Sequence, residues 1–349
     1  MRRSGLSSHL MCRKAVQNFA YLSGCFFCFL LGSFLSLSTM DPSVCDLQLC
    51  TKRLQHMSVD DTSLWQGYWD KNRVGQRKSV FLVILIISAP KNFELRNTIR
   101  QTWLKEEGRD CLHYFAVGID GLSEDMNVTI QSEQRRFSDM LFLPNLKDSY
   151  STLSQKLLSS AVHIHENVRY RFLLKCDDDS YVQLDRLVYE LRSIPYKLRV
   201  YWGFFDGRAT PFKEGPWKED KWVLCDRYLP YALGGGYILS HDLVEFIASN
   251  SKWFQLYNSE DVSLSVWLAP LQLHRIHDTR FDTEYRSRGC HNDYIVTHKQ
   301  TIQSMRDKFN HIQLDGTMCK NSFKSRSSYI YNWDVPPSKC CIRNDSSIP

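Results

Sequence analysis

Signatures of several common function classes are absent from this sequence of 349 residues. There is no run of lysine and arginine that indicates nucleic-acid binding, although the formal net charge is +6. There is no G-x-x-x-x-G-K phosphate loop and no internal repeat. The nine cysteines after Met40 are mostly far apart in the sequence and lack the paired C-x-x-C units of a zinc site. The composition, 43% hydrophobic and 23% charged, is that of a globular protein with one large or two small domains.

Charge is absent from Ala15 to Met40, and Phe19–Leu37 is strongly apolar with basic residues before it. About 20 apolar residues span a bilayer as a helix, and the basic flank stays cytoplasmic. A cleaved signal peptide, cut near Ser36–Thr39, is the alternative. The predicted organisation is a cytoplasmic tail (1–18), a transmembrane signal anchor (19–38), a stem (39–78), a luminal catalytic domain (79–343) and a C-terminal tail (344–349).

A luminal location fits the remaining cysteines, because disulfides form in oxidising compartments. Nine is an odd number, so at least one of them is free or pairs between chains. Their pairing cannot be read from spacing. Asn127 and Asn344 begin N-x-S/T acceptors for glycosylation, which the lumen makes available.

Strand and helix patterns alternate from residue 79 onward. Val80–Ser88 is a continuous apolar, β-branched run, which predicts a buried parallel strand. Further strands are predicted at Cys111–Gly118, Asp139–Leu143, Phe172–Cys176, Val200–Phe205 and Tyr237–Leu239, and helices at Glu94–Leu104, Glu124–Arg136, Ser151–Asn167 and Ser259–Leu268. The alternation predicts an α/β fold with a mostly parallel sheet, whose ligands bind beyond the carboxyl ends of the strands.

Three consecutive aspartates, Asp177–Asp179, follow the predicted strand Phe172–Cys176. Unpaired carboxylates at the rim of a sheet repel one another, and a divalent cation relieves that repulsion. A cation held by one or two carboxylates usually bridges to substrate phosphates. A solvated acidic turn before a helix at Leu184–Leu191 is the alternative.

Five motifs in order give this chain a family resemblance. They are Ser88-Ala-Pro with Arg96-x-x-Ile-Arg-x-Thr-Trp103, Asp148-Ser-Tyr-x-x-Leu-x-x-Lys156, Asp177–Asp179, Tyr231-x-x-Gly-Gly-Gly-Tyr-x-x-Ser240 and Glu260-Asp-Val262. Over residues 79–343 the chain resembles the β-1,3-galactosyltransferases of glycosyltransferase family 31. Four segments look most like the member that adds the second galactose of the glycosaminoglycan linkage region: Tyr201–Phe205, Leu229–Tyr237, Arg280–Cys290 and Trp333–Cys341.

The resemblance implies a GT-A-type, Rossmann-like nucleotide-sugar domain in the Golgi membrane. It implies UDP-galactose as donor, Mn²⁺ as cofactor and galactosyl-xylosyl-serine of proteoglycan core proteins as acceptor. Other linkage-region transferases are possible partners, and nucleic acid is not expected. Donor and acceptor rest on the resemblance alone, because no residue visibly excludes an N-acetylated sugar.

The resemblance also assigns roles near the metal and the base. Asp179 and His298 are the expected metal ligands, with His274, His277 and His291 as rivals. Asp177 is expected to contact the ribose or a metal-bound water. Asp178 is expected either to be among the residues that bind the cofactor or to have a structural role. Asp261 is the expected general base, with Glu260 on the substrate side. The alternative for both acids is that they cap the helix that follows.

The remaining candidates are cations, glycines and aromatic residues. Arg96, Asp148 and Lys156 are expected to contact the nucleotide, although an internal salt bridge is the alternative for Arg96 and Arg100. Gly235 and Gly236, within the triple glycine, allow a close backbone approach, expected beneath the acceptor sugar. Trp202, Phe204 and Tyr231 are candidates to stack on galactose, although aromatic residues more often lie in the core.

Two other function classes stay open at this point. One is a non-catalytic luminal chaperone or binding subunit, which the intact acidic motifs disfavour. The other is a metal-dependent phosphohydrolase that uses the same aspartates. A hydrolase needs no acceptor, so dependence on an acceptor separates it from a transferase. Within the transferase class, transfer of N-acetylglucosamine is chemically equivalent to transfer of galactose.

Overall fold

In the computed structural model of this protein, a mixed seven-stranded sheet forms the centre of the described residues. The structure describes residues 77–105, 108, 110–194, 198–215 and 217–342. The strands are β1 Lys78–Ser79, β2 Leu82–Ile87, β3 Cys111–Gly118, β4 Met140–Leu143, β5 Val168–Arg169, β6 Phe172–Asp177, β7 Tyr181–Val182, β8 Val200–Asp206, β9 Tyr231–Ser240, β10 His274–His277, β11 Phe281–Asp282, β12 Val296–Thr297, β13 Ile330–Tyr331 and β14 Cys341–Ile342. The α-helices are α1 Phe93–Gln101, α2 Glu124–Phe137, α3 Leu153–Asn167, α4 Leu184–Ser193, α5 His241–Ser249, α6 Glu260–Leu268 and α7 Ile302–Asp315.

The first half of the sheet is parallel, as the alternation of strands and helices predicts. β2 pairs in parallel with β3 and β6, and β3 pairs in parallel with β4. All six residues of β2 are buried, because helices cover both faces of a sheet of this kind. The α/β class and the predicted strands of this half are therefore confirmed.

The second half of the sheet differs through β9, which runs antiparallel to both β6 and β8. The strand order is β10-β8-β9-β6-β2-β3-β4, with β10 parallel to β8. β9 spans ten residues, whereas the sequence predicts a strand only at Tyr237–Leu239. Its central position places Gly234–Gly236 directly beside the carboxyl end of β6.

A second sheet of three short strands, in the order β11-β12-β7, lies next to that edge. β7 follows the aspartate triplet by one residue and pairs antiparallel with β12. The chain leaves β12 at Thr297, so the next residue, His298, is held beside the triplet. A residue more than 100 positions away along the chain is thus fixed at the end of β6.

Helices pack around the sheet, and one of them brings an acidic pair to the edge where β6 ends. α3 packs against α5 and α6, and α1 packs against α7. α6 begins with Glu260 and Asp261, and the positive end of the helix dipole favours acidic residues in this first turn. The predicted helix Ser259–Leu268 is therefore confirmed to within one residue.

One disulfide joins Cys290 and Cys319, whose Cα atoms are 5.8 Å apart. Cys225 and Cys341, also in the described ranges, are thiols. No helix within the described residues is long and apolar enough to cross a membrane. The predicted anchor at 19–38 and the glycosylation site at Asn344 lie outside the described residues.

Candidate active site

Asp177, Asp179 and His298 form a cluster whose ligand atoms all lie within 4.8 Å of one another. His298 Nε2 is 2.9 Å from Asp179 Oδ1 and 3.4 Å from Asp177 Oδ2. The two carboxylates are partly exposed, and the imidazole is mostly buried. Two carboxylates and one imidazole make a mixed oxygen and nitrogen donor set, which suits Mn²⁺ better than Mg²⁺. The residues therefore fit the expected cation.

The electrostatics of the cluster are those of a cation site. Burial alone lowers the pKa of His298, but the carboxylates of Asp177 and Asp179 outweigh it and raise that pKa to about 9. Burial opposes ionisation of Asp177, yet Lys175 and His298 hold its pKa well below the usual range. Asp177 is therefore a carboxylate at neutral pH, ready to accept positive charge.

Glycine is required in β9 for this arrangement. A Cβ atom at Gly235 would lie 2.6 Å from the ring of His298, and one at Gly236 would lie 2.8 Å from Val296 Cγ1. A Cβ atom at Gly234 would lie 3.0 Å from a carboxylate oxygen of Glu260. The close approach predicted for these glycines is present, but its occupants are protein side chains. The expectation that Gly235 and Gly236 lie beneath an acceptor sugar is wrong, because His298 and Val296 cover them.

Lys175 connects the cluster to the acidic pair at the start of α6. Its ammonium is 2.8 Å from Asp177 Oδ1 and 2.5 Å from Glu260 Oε1, and it donates to the carbonyl of Gly234 at 2.6 Å. Its side chain is 2% exposed. Coulombic attraction to the two carboxylates outweighs burial and raises the pKa of Lys175. A buried permanent cation thus joins both halves of the site.

Asp261 is positioned by the backbone on both sides. Its Oδ2 accepts a hydrogen bond from the N–H of Gly234 at 3.0 Å, and its Oδ1 accepts one from the N–H of Val262 at 2.8 Å. Burial raises the pKa of this carboxyl to about 8, and the neighbouring Glu260 carboxylate adds to the rise. A carboxyl with a pKa near 8 can exchange a proton close to neutral pH, as a general base must.

Aromatic residues enclose Asp261. Tyr231 belongs to a buried cluster with Trp222, Tyr228, Tyr257 and Val262. Burial raises the pKa of Tyr231, and the nearby charge of Asp261 adds to the rise. Tyr231 is 7% exposed, so it packs behind the base and offers no open face for stacking on galactose.

Arg96 does not reach the site. It forms the internal salt bridge that was the alternative to a nucleotide contact. Its guanidinium is fully buried and pairs with both oxygens of Glu133, at 2.8 and 2.7 Å. The other three N–H groups donate to Ser88, Ala89 and Pro90. All five donors are used internally, so the predicted nucleotide contact is wrong for Arg96. Its neighbour Arg100 pairs internally as well, with Asp139.

Three further residues predicted to bind the nucleotide make internal contacts beside the cluster. Asp178 is 8% exposed and accepts a hydrogen bond from Asn92 at 2.8 Å, which favours the structural role. Lys156 is buried and bonds to Asp148 Oδ2 at 2.5 Å and to the carbonyl of Ser88 at 2.6 Å. Asp148 also accepts the N–H of Gly118. Contact of Asp148 and Lys156 with uridine or diphosphate stays a prediction.

The predicted stacking residues of β8 lie in the core. Trp202 is 2% exposed, and its indole N–H donates to Asp278 Oδ2 at 3.0 Å. Phe204 is fully buried against His277 and Tyr329. Both predictions are wrong, because consecutive residues of this central strand are buried on both faces of the sheet.

The structure also shows the surroundings of the other histidines considered as metal ligands and of the glycosylation acceptor Asn127. Of the four histidine candidates, only His298 joins the metal-type cluster among the described residues. His277 instead accepts a hydrogen bond from the N–H of Phe205 and stacks on Tyr329. Asn127 is exposed on α2, and its use as a glycosylation site stays a prediction.

Residues 94–279 match the model of the galactosyltransferase family, which covers more than half of the chain. The chain belongs to the galactosyltransferase family. It is 45% identical over 275 residues to mouse β-1,3-galactosyltransferase 6, a match that covers 77% of this chain and 85% of the mouse protein. The family resemblance noted from the five motifs is confirmed.

More distant relatives of this galactosyltransferase family member carry longer chains. This chain is 30% identical to the β-1,3-galactosyltransferase GALT1 of Arabidopsis thaliana, and the match covers 64% of this chain and 36% of the plant protein. A mannosyltransferase of Pyrobaculum calidifontis is similar in structure with 8% identity and a TM-score of 0.35, covering 56% of this chain and 54% of the other. That score is too low to establish a shared fold.

Two residues of this galactosyltransferase family site were missed from the sequence. Lys175 interrupts an apolar strand two positions before Asp177, so both side chains share one face of β6. Tyr150 is 41% exposed and is hydrogen-bonded to Ser259, and its hydroxyl lies within range of the charges on Asp261, Glu260 and Asp177. The signals were a lysine inside an apolar strand and a tyrosine inside the second motif.

Proposed function

We propose that this chain is an inverting β-1,3-galactosyltransferase that uses UDP-galactose and Mn²⁺. One observation carries the proposal: a cation-type cluster of Asp177, Asp179 and His298 is connected through Lys175 to an acidic pair whose Asp261 has a raised pKa. The similarity to mouse β-1,3-galactosyltransferase 6 supports galactose as the sugar and β-1,3 as the linkage.

The acceptor we propose is the galactose of galactosyl-xylose on a serine of a proteoglycan core protein. The product is then part of the linkage tetrasaccharide of glycosaminoglycans. The support is the resemblance of Arg280–Cys290 and Trp333–Cys341 to the family member with that acceptor. We also propose a GT-A-type domain held in the Golgi lumen by residues 19–38, because Ala15–Met40 carries no charge. Protease protection of residues 79–343 in intact vesicles tests that orientation.

Asp177, Asp179 and His298 would hold the cation. When bound, Mn²⁺ supplies positive charge that binds the donor diphosphate and stabilises the leaving UDP. Lys175 keeps Asp177 ionised and fixes it at the end of β6. Gly235 leaves room for His298 to approach the strand.

Asp261 accepts the proton of the acceptor 3-hydroxyl. The bond from that oxygen to the anomeric carbon forms, and the bond from the anomeric carbon to the diphosphate oxygen breaks, so UDP leaves with the negative charge. A single in-line displacement converts the α-linked donor into a β-linked product. The N–H groups of Gly234 and Val262 orient the carboxylate for this step.

The full-length chain, purified in detergent, tests the proposal with a panel of UDP-sugars. Each donor is incubated with and without methyl galactosyl-β-xyloside, and with and without Mn²⁺. We expect transfer from UDP-galactose only when acceptor and Mn²⁺ are both present. Release of UDP that is independent of acceptor indicates a phosphohydrolase. Preference for UDP-N-acetylglucosamine refutes the proposed donor, and inactivity with every donor favours a non-catalytic role.

A further inference from the structure

Three aromatic side chains form a contiguous group on the surface, on two segments that are hydrogen-bonded to parts of the active site. Phe212 is 47% exposed and Tyr285 is 69% exposed, and the half-buried Trp217 lies between them. The ring centroids of Phe212 and Trp217 are 5.9 Å apart, and those of Trp217 and Tyr285 are 5.4 Å apart. We call Phe212, Trp217 and Tyr285 the aromatic platform. Contiguous exposed apolar surface of this kind marks an interaction site more often than scattered single residues do.

The platform is attached to the base side of the active site through the chain between β8 and β9. The backbone of Phe212 is hydrogen-bonded to the hydroxyl of Tyr228, which lies within range of the charge on Asp261. The N–H of Glu219 donates to the carbonyl of Phe212 at 2.9 Å. The buried Glu219 carboxylate in turn accepts the N–H of Asn258 at 2.7 Å, three residues before Asp261. Tyr228 therefore links the two sites: its hydroxyl bonds to the backbone of Phe212 and lies close enough to Asp261 to be affected by its charge.

Tyr285 attaches the platform to the metal side. The N–H of His298 donates to the carbonyl of Asp282 at 3.0 Å, and Tyr285 follows Asp282 by three residues. The intervening Glu284 is 9% exposed and pairs with Arg288 at 3.0 Å and with Arg326 at 3.2 Å. These ion pairs fix the backbone next to Tyr285. The platform thus joins two segments of the chain. Tyr285 follows Asp282, which is hydrogen-bonded to His298, and Phe212 and Trp217 lie on the loop whose Glu219 is hydrogen-bonded to Asn258, near the base.

The charges on the loop that carries Phe212 and Trp217 favour an uncharged ligand. Lys213 and Glu214 are exposed next to each other with opposite signs, and Lys218 pairs with Asp220 at 2.9 Å. An anionic ligand such as a diphosphate requires an excess of cations, which this loop lacks. The apolar face of a pyranose ring is uncharged and is complementary to the flat apolar surface of an aromatic ring.

We propose that the aromatic platform binds the second sugar of the glycan acceptor, the ring that follows the galactose receiving the transfer. This subsite rests on the proposed function, because it presumes a glycan acceptor whose first sugar lies at Asp261. It gives the enzyme a preference for a disaccharide over a single galactoside. The platform is the place where this chain distinguishes acceptors that end in the same galactose.

Binding measured by saturation-transfer NMR on the full-length chain with UDP and Mn²⁺ tests the subsite without depending on catalysis. The probes are methyl galactosyl-β-xyloside and methyl β-galactoside, which carry no aromatic group that could itself stack. The variants are Phe212→Ala with Tyr285→Ala, and the control is Trp253→Ala, which removes an aromatic residue that is 85% exposed but outside the platform. Thermal unfolding confirms that each variant is folded.

We expect the double variant to bind the disaccharide about tenfold more weakly, while its affinity for the monosaccharide and the affinity of the control for both probes do not change. In transfer assays the KM for the disaccharide rises in the same proportion, with a smaller change in kcat. Unchanged disaccharide affinity in the double variant overturns the subsite, and so does an equal loss for both probes. If the wild type binds the disaccharide through the platform but transfers no galactose, the subsite stands and the proposed function fails.

Discussion

At the residue scale, Lys175 is the buried cation that contacts the acidic groups in both halves of the site. Its ammonium lies between Asp177 of the metal-type cluster and Glu260, the neighbour of the base. Because it stays charged, it helps to hold the pKa of Asp177 well below the usual range. The negative charge of Glu260 then helps to keep the pKa of Asp261 raised. The charge of Lys175 itself opposes that rise, so burial and Glu260 outweigh the lysine at Asp261, while the lysine favours the ionised form of Asp177.

The raised pKa of Asp261 predicts the pH dependence of the reaction. The base acts only when it is deprotonated, and burial raises its pKa to about 8. With Mn²⁺ and donor saturating, we expect kcat/KM for the acceptor to rise about tenfold per pH unit below that pKa and to level off above it. A rate that stays constant between about pH 6 and pH 8 contradicts the assignment of Asp261 as the base.

Replacement of Lys175 by methionine removes the shared cation while keeping most of the side-chain volume. Two carboxylates then lack their buried partner, so we expect the free energy of unfolding to fall by about 3 kcal/mol. The control Lys218→Met breaks a surface pair with Asp220 and is expected to cost less than about 1 kcal/mol. Urea denaturation of both variants measures the difference. Equal losses in the two variants contradict a special role for the buried lysine.

Individual site residues could be predicted from the sequence only where the family resemblance suggested them. Asp179 and His298 meet in one cluster and Asp261 lies in the first turn of α6, while their roles as metal ligands and base stay predictions. Arg96 and Trp202 were misassigned, because residue type alone does not say which partners a side chain finds after folding. Glu133 satisfies Arg96, and it lies on a helix that is separate in sequence.

At the element scale, β9 determines how closely the parts of the site approach one another. Its glycines let His298 and Glu260 lie directly against the strand: a Cβ atom at Gly235 would overlap the His298 ring, and one at Gly234 would press on the Glu260 carboxylate. The sequence predicted only three residues of this strand, because its first half has glycines where strands usually have β-branched residues. The strands with continuous apolar runs, such as β2 and β3, were predicted to within two residues at each end.

Substitution Gly235→Ala tests the role of β9. The new Cβ atom would lie 2.6 Å from the His298 ring, so the imidazole must leave the position that it holds beside Asp179. We expect affinity for Mn²⁺ to fall roughly 10- to 100-fold, as it does when the support of a metal ligand is disturbed. The paramagnetic resonance signal of free Mn²⁺ measures this affinity. Gly108→Ala is the matched control, because no atom lies within 4 Å of its added Cβ, and equal affinity in the two variants refutes the argument.

At the scale of the whole molecule, the site depends on segments far apart in the chain. The aspartate triplet, the triple glycine, the start of α6 and His298 meet at one edge because β9 and β12 return to β6 and β7. The sequence predicted the α/β class and the parallel half of the sheet from local periodicity. It could not predict these returns, because antiparallel pairing across long connections leaves no local pattern.

The disulfide between Cys290 and Cys319 stabilises the segment that contains β12 and α7. It closes a loop with a sequence separation of 29 residues. Replacing both cysteines by serine is expected to lower the free energy of unfolding by about 3 kcal/mol. Cys225→Ser, which removes an exposed thiol outside the disulfide, is the control and is expected to change stability by less than about 0.5 kcal/mol. Denaturation that reports the same stability for both contradicts this role.

Galactose transfer by wild type and by Asp261→Asn tests the central claim most directly. Both proteins receive UDP-galactose, Mn²⁺ and methyl galactosyl-β-xyloside, with UDP binding measured in parallel and the linkage of the product determined by NMR. The account predicts a β-1,3-linked product from the wild type, and a rate reduced by about 10²- to 10⁴-fold in the variant with UDP binding retained. Full activity of Asp261→Asn, or a wild-type product with another linkage, would contradict it.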